Sequence, residues 1–540
     1  MKINILIITT ALIMTMTSCK EKADLILING NIYTVNDNFD KATAFAIRNG
    51  KFVCISNDND ILEKYTSDNI IDIEGKSIYP GFIDGHCHFA GYGENKVRYA
   101  DLRDCHSFDE VIERLKRHQN DSEWLLGRGW DQNLWEEKVF PNNEMINSIF
   151  PDKKVLLTRI DGHAVLVSDN VISMMNFDNE NIDNNQIVKD KDGNCTGILL
   201  DNAADMAKML VPPLSKSEKI KALKIAEHDC IELGLTGVTD AGLDIETIEL
   251  IDSLQECGSI KMKINAMINS DDETMDYFMS KGIISKERLT VRSVKIYADG
   301  ALGSRGAKLI EPYHDAPDTD GFIVFNDDFY DNVCKKAYDN GFQVCIHAIG
   351  DGGVRKSIDI YSKYLIGHND LRWRIEHSQV VHPNDLNRYN EYNIIPSIQA
   401  THCTSDMPWA EERLGERIKT AYIYKDLLKQ NGWIINGTDF PIEQINPLYT
   451  FYASVSRKNI NNKDIKGFQL ENALSREETL KSMTLWAAKG SFEEKFKGSI
   501  ECDKYADFVI LEKDIMTIDK DEIPYVKVNK VFINGECVKQ

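Results

Sequence analysis

The sequence predicts an α/β protein: a distorted (β/α)8 TIM barrel with a large insertion, beside a small split β-sandwich built from both termini. Three observations predict it. Short apolar runs alternate with helix-like segments through the middle of the chain, the pattern of parallel βα units. Both ends are instead rich in short strands around Asn-Gly turns. Five of the central runs end in a metal-ligand or acid/base residue, and the C-terminal ends of barrel strands are where such groups converge.

The elements follow in order. Residues 24–79 read as strands, with turns at Asn29-Gly30 and Asn49-Gly50. Eight barrel strands are expected at 77–84, 236–240, 262–268, 291–296, 342–346, 373–376, 394–398 and 433–436. Helical stretches intervene, at 216–233 and 476–489 among others. The long gap between the first two strands marks residues 95–215 as an insertion above the barrel mouth. A strand near 507 and a hairpin around Asn534-Gly535 close the chain. The domains are thus a composite β-sandwich from 19–79 and 491–540, and a barrel over 80–490.

Residues 1–18 stand apart. Lys2, an apolar run over 3–14 and the small residues before Cys19 resemble a bacterial lipoprotein signal, with Cys19 as the lipid anchor. On that reading the protein is exported and held at a membrane by lipid alone, facing the periplasm or cell surface; the alternative is a plain secretory signal or a short N-terminal anchor that is never cleaved. The whole sequence carries 85 acidic against 63 basic residues, a net charge of −22. That balance excludes nucleic acid as the main partner. None of the 12 cysteines forms a CxxC pair, which argues against a cysteine zinc site. Oligomeric state is left open.

The chemistry lies at the strand ends. His86 and His88 sit at i and i+2, so both imidazoles project to one side of a strand while Cys87 points away. His347 and His377 each follow an apolar strand, one βα repeat apart, and Asp439 ends another. Any one of these alone reads as a structural histidine or a helix cap. Together they suggest metal-assisted hydrolysis. Lys295 is costly within an apolar strand unless its charge is paired or lost. Either it pairs with Asp299, or its neutral amine takes up carbon dioxide as a carbamate able to bridge two cations.

These segments carry a resemblance. Pro80-Gly-Phe-Ile-Asp-Gly-His-Cys-His88, Val294-Lys-Ile-Tyr-Ala-Asp-Gly-Ala-Leu-Gly-Ser-Arg305, His347-Ala-Ile-Gly-Asp351, Arg374-Ile-Glu-His-Ser-Gln379, Gln399-Ala-Thr-His402 and Gly437-Thr-Asp-Phe-Pro441 resemble the amidohydrolase superfamily. The nearest likeness is the branch of N-substituted formamide deformylases (amidohydrolase family 3). The resemblance implies that His86 and His88 bind one ion with Asp439, that His347 and His377 bind a second, and that Lys295 bridges them. It implies one or two divalent ions, zinc foremost, although such ligands also suit Mn, Fe and Co. His163 belongs to an Asp161-Gly-His163 segment similar to that of the deformylase-like proteins and is a candidate substrate contact. Trp130 and Asp131 could form an aromatic wall, and Arg305 and His402 follow strands four and seven; for each, loop packing is the alternative.

The expected activity is hydrolysis of a C–N bond in a small amide-type substrate, an N-acyl or N-formyl amine. Metal-activated hydroxide would attack the carbonyl, and Asp439 would shuttle the proton. Two alternatives remain: a deaminase or cyclic-amide hydrolase on the same scaffold, or a non-catalytic small-molecule-binding lipoprotein.

Overall fold

The computed structural model describes residues 20–119, 122–160, 162–175, 186–367, 369–461 and 466–539. Residues 1–19, with the expected signal and lipid anchor Cys19, and Asp161 of the Asp161-Gly-His163 segment, lie outside them. Contacts divide the chain into two compact units. The first comprises Met1–Cys87, Cys230–Ile248 and Lys261–Gln540, the second His88–Asp229 and Glu249–Ile260.

The first unit holds the barrel. Its strands are Phe82–Cys87, Leu235–Leu243, Lys263–Ile268, Leu289–Tyr297, Gln343–Ala348, Arg374–His377, Ile395–Ile398 and Ile435–Asn436, each parallel to the next. They are buried almost throughout, as a sheet covered on both faces requires. The ends of the series meet at the top. Asp439 N–H donates to the His86 carbonyl at 2.8 Å, and Asp84 accepts from Thr438 N–H at 3.0 Å and from its hydroxyl at 2.7 Å. Gly437 makes this approach possible: a Cβ there would lie 2.4 Å from the His86 nitrogen.

One expected strand divides in two. Residues 77–84 do not form a single barrel strand, because Ser77–Pro80 pairs with Phe508–Leu511 in a terminal sheet. The barrel strand starts at Phe82. The bend falls at Gly81, where a Cβ would come within 2.2 Å of the Thr236 hydroxyl. The expected helix over 476–489 also divides, into Arg476–Ser482 and Leu485–Gly490.

Besides the short pair Glu21–Lys22 and Tyr65–Thr66, the terminal strands form two larger sheets. Four strands (Lys51–Ser56, Ala44–Arg48, Leu25–Ile28, Ile70–Asp72) make one. The other runs Glu536–Lys539, Val528–Ile533, Phe508–Leu511, Ser77–Pro80, Asn31–Tyr33, Lys41–Ala42, and so combines both chain ends. Leu27, Phe45 and Ile47 of the first sheet pack with Ile78, Phe508 and Phe532 of the second. The Phe508 and Phe532 rings stack at 4.3 Å.

A buried ion pair ties this sheet to the third barrel strand. Lys263 Nζ lies 2.6 Å from Asp507 Oδ2, with side chains 2% and 5% exposed. Burial pulls the Lys263 amine down to about 8 even with Asp507 beside it. Removing one member of such a pair strands the other's charge. Lys263→Met is therefore expected to destabilise the fold by about 3–5 kcal/mol, and Lys263→Met with Asp507→Asn by much less. Thermal unfolding of both variants checks this; equal midpoints would count against it.

The second unit has its own core. Its sheet runs Tyr99–Asp101, Trp124–Trp130, Lys154–Arg159, Ala164–Val167, Cys195–Leu200, Ile187–Lys189. Leu102, Val111, Leu115, Trp130, Trp135, Val155 and Leu157 pack on one side of it. No helix among the described residues is long and apolar enough to cross a membrane.

Candidate metal centre

The top of the barrel gathers side chains from five strand ends. One ligand atom each from His86, His377 and Asp439 falls within 4.8 Å of the other two, and all three residues are buried. Lys295 Nζ lies 3.2 Å from His86 Nε2. The His347 ring sits 4.5 Å from that of His377. His88 follows the first barrel strand and is the N-cap residue of the helix Phe89–Arg98, in the second unit.

Backbone geometry aims two of these residues. Successive strand residues normally face opposite sides. His377, at φ +74°, and Asp439, at φ +61°, leave that pattern in the left-handed region. Such strain in a residue with a Cβ costs about 1–3 kcal/mol and concentrates at functional sites.

Hydrogen bonds fix the imidazoles from behind. His86 Nδ1 donates to Glu376 Oε2 at 2.5 Å, and His377 Nδ1 donates to Gln399 Oε1 at 2.7 Å. In both rings Nδ1 carries the proton and Nε2 is the lone-pair nitrogen, as in metal-ligating histidines backed by an outer acceptor. Burial, followed by the Lys295 charge, lowers His86 to about 4 and His347 to about 3. Both rings are neutral and able to ligate at neutral pH. Burial also lowers the Lys295 amine from its ordinary value.

The alternative pairing of Lys295 with Asp299 is not found: the Asp299 carboxylate is turned to the backbone instead. It accepts backbone N–H groups from Lys308, Ile349 and Gly350 at 2.8–3.0 Å. Burial raises it to about 7, and it holds the loops after strands four and five together.

His402 comes to the same place. Its Nε2 is 3.5 Å from Asp439 Oδ2, and its ring stacks on His377 at 5.7 Å. Nε2 of His347 and of His402 are buried atoms without a hydrogen-bond partner. Buried polar nitrogens are normally satisfied. That of His347 lies 3.7 Å from Asp299 Oδ1 and that of His402 beside Asp439, while the imidazoles of His86 and His377 with the Asp439 carboxylate form a donor set that fits a divalent metal ion.

The other expected substrate contacts each have partners of their own. Trp130 is 1% exposed in the core of the second unit, its indole N–H bonded to the Leu157 carbonyl at 2.8 Å. The expected aromatic wall is corrected on that ground: the ring is used for packing. Asp131 caps the turn Gln132–Leu134 and pairs with Arg159 at 2.9 Å. His163 is largely exposed, 3.2 Å from Asp201. Arg305 pairs with Asp315 at 2.8 Å in the loop after the fourth strand.

Sequence reasoning missed Glu376, Arg374 and Gln399 as parts of the centre. The signal was present for the first two: two charged residues at i and i+2 in an otherwise apolar strand.

The model of the Amidohydrolase family matches residues 69–539. The Bacillus subtilis protein YtcJ is 30% identical over 522 residues, covering 94% of this chain and 98% of that protein. The N-substituted formamide deformylase of Arthrobacter pascens is 22% identical over 545 residues, covering 95% and 97%. A solved structure of an uncharacterized metal-dependent hydrolase from Pyrococcus furiosus superposes with a TM-score of 0.78 at 27% identity, covering 91% of this chain and 100% of that one. The chain belongs to the amidohydrolase family, and the residues gathered at the top of its barrel are the candidate metal site of a metal-dependent hydrolase.

Proposed function

We propose that this protein hydrolyses the C–N bond of an N-acyl or N-formyl amine. The observation that carries the reading is the trio His86, His377 and Asp439, with both imidazoles turned by outer hydrogen bonds so that Nε2 faces the carboxylate. Similarity over nearly the whole length to the formamide deformylase supports the bond type. The residues that would hold the ion are His86, His347, His377 and Asp439, with Lys295 as a carbamate and zinc as the first candidate ion.

A bound divalent ion supplies water acidified from about 15.7 to near 7 and an electrophile for the carbonyl. The protein's own groups do the rest. Asp439 accepts the proton of the attacking water and delivers it to the leaving nitrogen as the C–N bond breaks and the new C–O bond forms. His402, 3.5 Å from that carboxylate, is placed to donate a hydrogen bond to the carbonyl oxygen as charge builds there.

Metal analysis of the purified protein, followed by a screen for amine release from N-formyl and N-acyl amines, tests this. About two equivalents per chain and release of a primary or secondary amine are expected. Chelation should abolish turnover, and added metal should restore it. Ammonia release from aminated rings in place of amine release would favour a deaminase. No bound metal after loading would sink the reading.

A further inference from the structure

Beneath the centre lies a charged pair that the proposed reaction does not use. Arg374 and Glu376 sit at i and i+2 of the sixth barrel strand, both 0% exposed. The guanidinium grips the carboxylate with two bonds, Nε to Oε1 at 2.6 Å and Nη2 to Oε2 at 2.9 Å. The same Nη2 reaches the Gly85 carbonyl at 2.8 Å, in the residue before His86, and the Ser397 hydroxyl at 3.0 Å on the seventh strand. Glu376 Oε2 in turn receives the His86 Nδ1–H at 2.5 Å.

Stability does not account for this arrangement. Dehydrating two charges costs several kcal/mol each, and apolar residues of similar volume usually serve a core as well or better. What the pair does, and an apolar filling could not, is hold one imidazole by its ring nitrogen and by the backbone preceding it. The neighbouring residue shows the same purpose. His377 follows Glu376 directly, and its φ of +74° breaks the strand alternation. Glu376 can then face Nδ1 of His86 while the His377 ring sits 5.1 Å from the His86 ring.

We propose that Arg374 and Glu376 are positioning residues that act as one unit. They lock His86 in the Nδ1–H form with Nε2 directed at the metal centre. Arg374 holds Glu376 in the acceptor geometry, and Glu376 holds the ring. The inference rests on the reading of His86 as a metal ligand. An acceptor of this kind typically contributes 10–100-fold in metal affinity.

The test measures zinc affinity of the purified, metal-stripped full chain by competition with a chromophoric chelator. The variants are Glu376→Gln, Arg374→Met with Glu376→Gln, and His86→Asn. Glu376→Gln is expected to weaken zinc binding by about 10–100-fold. The double variant removes both charges, so that no unpaired ion remains to unfold the barrel. Its affinity is expected to match that of Glu376→Gln, because the two residues work through one bond. Wild-type affinity in a folded double variant would overturn the proposal and leave the pair a packing role. The two readings fail differently. If the wild-type chain binds no zinc, the metal-centre reading fails. If His86→Asn loses zinc but the Glu376 variants keep it, only the positioning role fails.

Discussion

Asp439→Asn is expected to lower turnover by about 10²–10⁴-fold, the range for loss of a positioned general acid/base. The amide keeps the shape of the carboxylate and its place beside His86 Nε2, 3.7 Å away, and beside His402. It cannot accept the proton of the attacking water. Metal content should therefore fall less than activity does. The backbone should hold, because the Asp439 N–H still donates to the His86 carbonyl. Measuring kcat and bound metal on the same sample separates the two effects. Full activity in Asp439→Asn would remove the residue from the mechanism. Activity and metal falling in parallel would reduce it to a ligand.

Lys295→Ala is expected to cost at least about 100-fold, more than an outer residue typically does. The amine stands 3.2 Å from His86 Nε2, a position where a charged ammonium would repel a cation. The proposed carbamate would put an anion in place of that ammonium. The wild-type protein stripped of metal should then regain activity fully only when metal and bicarbonate are supplied together. Lys295→Ala should show no response to bicarbonate. Full recovery of the wild type in carbon-dioxide-free buffer would rule out the carbamate.

The ligand-bearing strand ends were legible because each apolar run stops at a polar residue, and the spacing of those runs is that of βα repeats. The partner of each residue was harder to read. Glu376 meets His86 across 290 positions, and nothing local to either says that strands one and six converge there. Trp130 shows a second limit. A tryptophan beside an aspartate in an insertion looks like a binding wall, but the next strand offers the indole a carbonyl and a core. The boundary at Gly81 shows a third: the residues on both sides are apolar, and the close approach of Thr236 that excludes a side chain there is not visible in the local sequence.

The joint between the first and eighth barrel strands has a consequence for biosynthesis. His86 and Asp439 lie on opposite sides of that joint, held by the Asp84–Thr438 clasp. The strand that brings Asp439 is the last of the eight to leave the ribosome. A nascent or truncated chain ending before it carries every one of the histidines at the strand ends, but no place for them to meet a carboxylate. Contacts so distant along the chain form late and slowly. The candidate metal site of His86, His377 and Asp439 is accordingly complete only at the end of folding, once the whole barrel has been made.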